Sequence, residues 1–151
     1  MPRTNRWLYA AACLALIPAG ACSKASESTP AAPTASSVNV AGSWRGTATD
    51  SSGDGSLTLQ VTQSGTNLSG TVTMSVITVT GRGTLTGTVS GSTIRLTIAI
   101  PAGGFDAPFS GCTATVSGDG QATASSISAT YTGTNSCSGP VTKGQLTLTK
   151  G

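Results

Sequence analysis

From residue 38 onward apolar and polar residues alternate one by one, and no segment keeps the period of an amphipathic helix. That pattern predicts strands that are buried on one face only. The first runs through Val40–Thr47 and carries Trp44. Leu57, Leu59 and Val61 mark the second, and Ser64-Gly65 turns the chain. Leu68, Gly70, Val72 and Met74 share one face of the third. The parity then slips, because Ile77 and Val79 are odd where the preceding apolar set is even; a bulge or strand break between Ser75 and Ile77 would absorb the extra residue.

The next hairpin is the best defined. Leu85, Gly87 and Val89 precede Gly91-Ser92, and Ile94, Leu96, Ile98 and Ile100 follow it. A two-residue loop sets Val89 against Ile94, Gly87 against Leu96 and Leu85 against Ile98, so turn and pattern agree on one register. Gly at the first loop position suits a type II′ turn. Pro101 ends this fifth strand, and Ala102–Pro108 reads as a loop holding Gly103-Gly104. Cys112, Ala114 and Val116 share a face of the sixth strand. Gly118-Asp119-Gly120 reads as a turn, with Ala122 and Ala124 out of phase in a longer loop. Ile127, Ala129 and Tyr131 carry the seventh strand, and Gly144, Leu146 and Leu148 the last.

The pattern gives an all-β fold: about eight antiparallel strands in an up-and-down meander. A weak repeat bears on how they close. Leu68-Ser69-Gly70-Thr71-Val72 and Leu85-Thr86-Gly87-Thr88-Val89 are nearly identical, and Ile127-Ser128-Ala129-Thr130-Tyr131 is a degraded copy. Each puts a small residue on the apolar face between two larger ones. Such positions let a strand coil sharply, as a small closed barrel requires. A barrel is favoured over a two-sheet sandwich, the rival arrangement. Gly42-Ser43-Trp44 on the first strand, followed by an eight-strand meander, resembles the opening of the lipocalins and their calycin relatives. There the Trp plugs the closed end of the barrel, and a late basic residue packs on it. The resemblance implies that Lys143 or Lys150 takes that role.

The first residues follow a different pattern. Arg3 and Arg6 precede an apolar run from Leu8 to Ala19, well short of the ~20 residues that span a bilayer. Small residues Ala19, Gly20 and Ala21 then lead into Cys22. This resembles the lipobox of bacterial lipoproteins. The resemblance implies a signal peptide over residues 1–21, diacylglycerol on the Cys22 thiol, and a membrane partnership through that anchor. Two or more acyl chains suffice for stable attachment, at ~0.8 kcal/mol per buried CH₂. Ordinary secretion, with Cys22 left free, is the alternative. With Ser23 after the cysteine, the likeness to lipoproteins of Gram-negative bacteria implies the cell envelope and the outer membrane. Residues 22–37 form the lipidated cysteine and a tether. Its Ser, Ala, Thr and Pro composition cannot bury enough surface to offset chain entropy, which predicts disorder. Residues 38–151 are the folded domain.

Composition narrows the chemistry. The chain has no His, which excludes Ser-His and Cys-His nucleophiles and imidazole metal sites. Charged residues are only 9% of the chain, without a basic block, so no nucleic acid is expected. The domain's acids, Asp50, Asp54, Asp106 and Asp119, read as turn residues, and Gly81-Arg82-Gly83 as a loop. No catalytic residue, metal ligand or cofactor is expected, and no enzymatic activity. In an exported protein the remaining pair, Cys112 and Cys137, reads as a disulfide. The inward set is aliphatic and uncharged. Two functions follow from different classes. One is a barrel that binds a small apolar ligand near Phe105, Phe109 and Tyr131. The other is a structural or interaction lipoprotein whose barrel is filled by its own side chains. Phe105 and Phe109 carry two alternatives of their own, a mobile lid or a cap folded onto the core. The sequence names no protein partner.

Overall fold

The computed structural model describes residues 36–151. The expected signal segment, Cys22 and most of the expected tether lie outside the described residues.

Eight antiparallel strands follow in chain order: β1 (Gly42–Asp50), β2 (Gly53–Ser64), β3 (Asn67–Val76), β4 (Val79–Ser90), β5 (Thr93–Ile100), β6 (Ala114–Ala122), β7 (Ser126–Asn135) and β8 (Gly139–Lys150). Each pairs with the next, and β8 pairs back onto β1 to close the barrel. The β4–β5 hairpin has the expected register, with Val89 opposite Ile94, Gly87 opposite Leu96 and Leu85 opposite Ile98. Gly91 holds φ 58 at the first loop position, and Ser92 is outside the left-handed region.

The parity slip after Met74 is the strand break and not the bulge, since β3 ends at Val76. Ile77-Thr78 is a two-residue turn between Val76 and Val79, which face each other across β3 and β4. A bulge does exist, but on β8, where Tyr131 faces Gly144 while Gly133 faces Val141. The extra residue lies at Thr142-Lys143, and Lys143 adopts φ 57. It switches the inward set from Val141 to Gly144, Leu146 and Leu148. Gly118-Asp119-Gly120 is the middle of β6, not a turn. Its glycines point inward opposite Leu96 and Ile94, and Asp119 points outward to Arg95. Ala122 is in phase with them and buried, so the turn comes later. Gly81-Arg82-Gly83 belongs to β4 and is not a loop.

The barrel interior is filled by pairing large residues with absent ones. Gly70 lies between Val61 and Leu85, Gly87 between Leu68 and Leu96, and Gly118 between Leu96 and Tyr131. These glycines are also where neighbouring strands come closest. A Cβ on Gly70 would collide with the carbonyl oxygen of Gln60, and one on Gly87 with that of Arg95. The small residues of the repeated segments therefore allow the strands to coil, which barrel closure demands.

One end of the barrel is sealed by the chain that leads into β1. Val38 N–H donates to Gly91 O, and Val40 N–H donates to Gln63 Oε1. Gln63 Nε2 returns a bond to Val38 O. Trp44 lies just inside this seal with none of its surface exposed, and its indole N–H donates to Val40 O at 2.8 Å. The buried indole donor is thus satisfied, as burial of a Trp requires. Lys150 Nζ lies 5.4 Å from the centre of the Trp44 ring, within cation–π range. Lys150 is therefore the late basic residue on the Trp; Lys143 is far along β8 at the bulge.

Candidate functional site

The opposite end, the mouth, is built from the β1–β2, β3–β4 and β7–β8 turns and the long β5–β6 connection, residues 101–113. β4 extends past the end of β5, and this connection takes β5's place beside it. Arg82 N–H donates to Gly104 O, Asp106 N–H donates to Thr80 O, and Phe105 sits opposite Gly81. Phe105 thereby occupies an inward strand position. It is 7% exposed and packs with Ile100 and Cys112 in a second, smaller apolar cluster. The lack of a side chain at Gly81 is what admits the ring, since a Cβ there would press on Phe105 Cε1. Outside, Arg82 pairs with Asp106 at 2.8 Å. Both side chains are well exposed, so this pair adds direction more than stability.

Cys112 and Cys137 form a disulfide. It joins the end of the long connection to the β7–β8 turn. Cys112 precedes β6 and does not belong to it, so the bridge links two connections of the mouth. Closing a loop of 25 residues contributes about 3 kcal/mol in the chain-entropy account.

Between the main core and the mouth cluster lies a cavity of about 120 Å³. Leu57, Met74, Leu96, Ile98, Ile100, Phe105, Val116 and Leu146 supply most of its wall, and it reaches the exposed β1–β2 turn at Ser52 and Gly53. The inward residues Met74, Ile98, Val116 and Tyr131 are only half-buried, and all four line this cavity. The barrel's sides are large enough to enclose more than its side chains fill at this level.

One polar corner interrupts the apolar wall. Asp50, the last residue of β1, shares its inward parity with Trp44 and Ala48. Its Oδ1 accepts from Ser52 N–H at 2.6 Å, and its Oδ2 accepts from the Tyr131 hydroxyl at 2.8 Å. Burial pushes the Tyr131 pKa well above the usual phenol value, and the hydrogen bond to Asp50 and that carboxylate's charge push it the same way. Tyr131 stays a neutral donor at any physiological pH. Gly144 opposite makes room for its ring, since a Cβ there would collide with the ring carbons.

Of the three residues singled out for binding, the structure brings Phe105 and Tyr131 to the cavity wall. Phe109 is 43% exposed and does not line it. Phe105 is folded onto the mouth cluster, and Ile77 stands 96% exposed at the tip of the β3–β4 turn. Asp50 was missed because its Ser and Gly neighbours signal a turn, although its parity with Trp44 already placed it inside.

No family model, curated protein or solved structure matches this chain.

Proposed function

We propose that this chain is an envelope lipoprotein whose barrel, lipocalin-like in plan, binds a small apolar molecule in the mouth cavity. The observation that carries the reading is the unfilled apolar chamber of about 120 Å³ beneath Phe105. A well-packed protein interior leaves few voids larger than a water molecule. A comparable engineered apolar cavity of ~150 Å³ stays dry and takes benzene. The chamber is below the ~300–1,000 Å³ of drug-sized sites, so its occupant is about the size of one ring or a short alkyl chain. The plan of the barrel supports the lipocalin likeness. Gly42-Ser43-Trp44 opens β1, Trp44 plugs the sealed end, and Lys150 packs on it.

The anchoring rests on Ala19-Gly20-Ala21-Cys22. Within the described residues the chain enters the barrel at the sealed end, where Val38 N–H donates to Gly91 O. Metabolic labelling with an alkyne fatty acid tests the anchor: label on the wild type and none on Cys22→Ser is expected, and equal label on both rejects it. For the cavity, the purified protein is compared with Val116→Phe, which fills the chamber from β6. Small molecules carried by the wild type and absent from the folded variant support the reading. Uptake of apolar probes by neither protein favours a self-filled interaction barrel.

A further inference from the structure

The geometry points to a ligand with a hydrogen-bond-donating, positively charged head: a small apolar amine, its body in the mouth cavity and its ammonium on Asp50. This rests on the ligand-binding reading above and narrows it, since apolarity alone would admit a short fatty acid equally well.

The argument comes from what the polar corner offers. Among the described residues, Asp50 is the one charged residue in the cavity wall, and Ser52, Ser56 and Asn135 add only neutral groups. Each carboxylate oxygen of Asp50 accepts one bond, from Ser52 N–H or from Tyr131 OH. A carboxylate has about four acceptor sites, so Asp50 can take further donors from a ligand. The Tyr131 proton is committed to Asp50, so the phenol oxygen can act toward a ligand only as an acceptor. Asn135 Oδ1 is already taken by the N–H groups of Cys137 and Ser138. The cations of this end are turned away: Arg82 is paired with Asp106 on the outer face, and Lys143 is exposed at the β8 bulge. Asp54, on β2, is exposed and does not line the cavity.

An ionised carboxylate ligand would therefore meet the Asp50 carboxylate with no cation to pair it, and only the neutral donors of Asn135, Ser52 and Ser56 to receive it. An alkyl- or arylalkylammonium would donate to Asp50 in a partly water-excluded corner, where charge-assisted bonds are stronger than neutral ones.

Toluene, benzylamine and benzoate share one ring and differ in charge, and the ring matches the chamber. Their affinities are read at neutral pH from methyl NMR shifts of Met74, Ile98 and Leu146. Benzylamine is expected to bind at least tenfold more tightly than benzoate. Asp50→Asn should bring the two together, while Tyr131→Phe, which keeps the carboxylate, should preserve the preference. In the wild type the NMR shift of the Asp50 carboxyl carbon should move with benzylamine and stay still with toluene, a readout that needs no variant. Toluene binding with benzoate as tight as benzylamine would overturn the amine assignment and leave the cavity reading standing. A benzylamine preference that survives in folded Asp50→Asn would overturn it as well. No saturable shift with any of the three would overturn the cavity reading itself.

Discussion

Truncating Phe105 to Ala separates a cap that belongs to the fold from a lid that merely lies over it. The ring is 7% exposed, lies against Gly81, and contacts the Ile100–Cys112 cluster, while one side borders the cavity. Burial of a Phe side chain contributes about 1.5–3 kcal/mol by transfer, and the void left behind adds to that loss. Fully packed Phe→Ala changes cost about 3–5 kcal/mol. Because one side of the ring already lacks neighbours, the lower end applies, about 3 kcal/mol. For a domain of this size that lowers the melting temperature by roughly 10 °C. Urea unfolding followed by circular dichroism measures the loss directly, and an unchanged slope would show that the denatured state is not involved. Phe109→Ala is the internal control. At 43% exposure and away from the cavity it should change stability by no more than about 0.5 kcal/mol. A Phe105→Ala loss below about 1 kcal/mol would refute the capping account, because a surface change of that size involves no buried ring.

Four further outcomes follow. Gly70→Ala should destabilise by at least about 1–3 kcal/mol in chemical denaturation, as overpacking does, because its Cβ meets the Gln60 carbonyl, whereas Gly120→Ala tests the same logic on β6 against Ser128 O. Ile77→Gly should stabilise by about 1 kcal/mol in the same assay, since a β-branched residue at φ 54 is strained and its exposed side chain packs on nothing. Replacing Cys112 and Cys137 together by Ser should cost about 3 kcal/mol while far-UV circular dichroism keeps its β signature. The last outcome concerns pH. The Tyr131 pKa is raised in the fold, so its stabilisation is full below pH ~10, the unfolded value, and is lost as pH rises above it. Stability curves should fall more steeply above that pH in the wild type than in Tyr131→Phe.

The barrel was legible where side-chain pattern and turn chemistry agreed. In β4–β5, alternation and a Gly-led two-residue loop fixed one register, and closure followed from Gly or Ala between large inward residues. Legibility failed where a residue type contradicted its position. Ile77 is branched and apolar and reads as strand, yet it occupies a left-handed turn. Gly118 and Gly120 read as a turn, yet they lie mid-strand because Leu96, Ile94 and Tyr131 from adjacent strands occupy the space they leave. The β8 bulge was hidden because Lys143 carries no sign of a left-handed residue. The disulfide was legible as the even pair of cysteines left in the domain, which an exported chain would be expected to oxidise. The cavity was not, since it depends on how far eight strands stand apart once closed. Met74, Ile98, Val116 and Tyr131 carry the same inward pattern as the fully buried Leu59 or Leu148, and only closure distinguishes them.

The most direct test of the central claim is a methyl NMR titration of the wild type with toluene beside cavity-filled Val116→Phe. The account predicts saturable shifts at Met74, Ile98 and Leu146 in the wild type, none at the sealed end around Leu59 and Val89, and loss of all of them in the folded variant. Identical shifts in both proteins, or shifts confined to exposed Ile77, would contradict it.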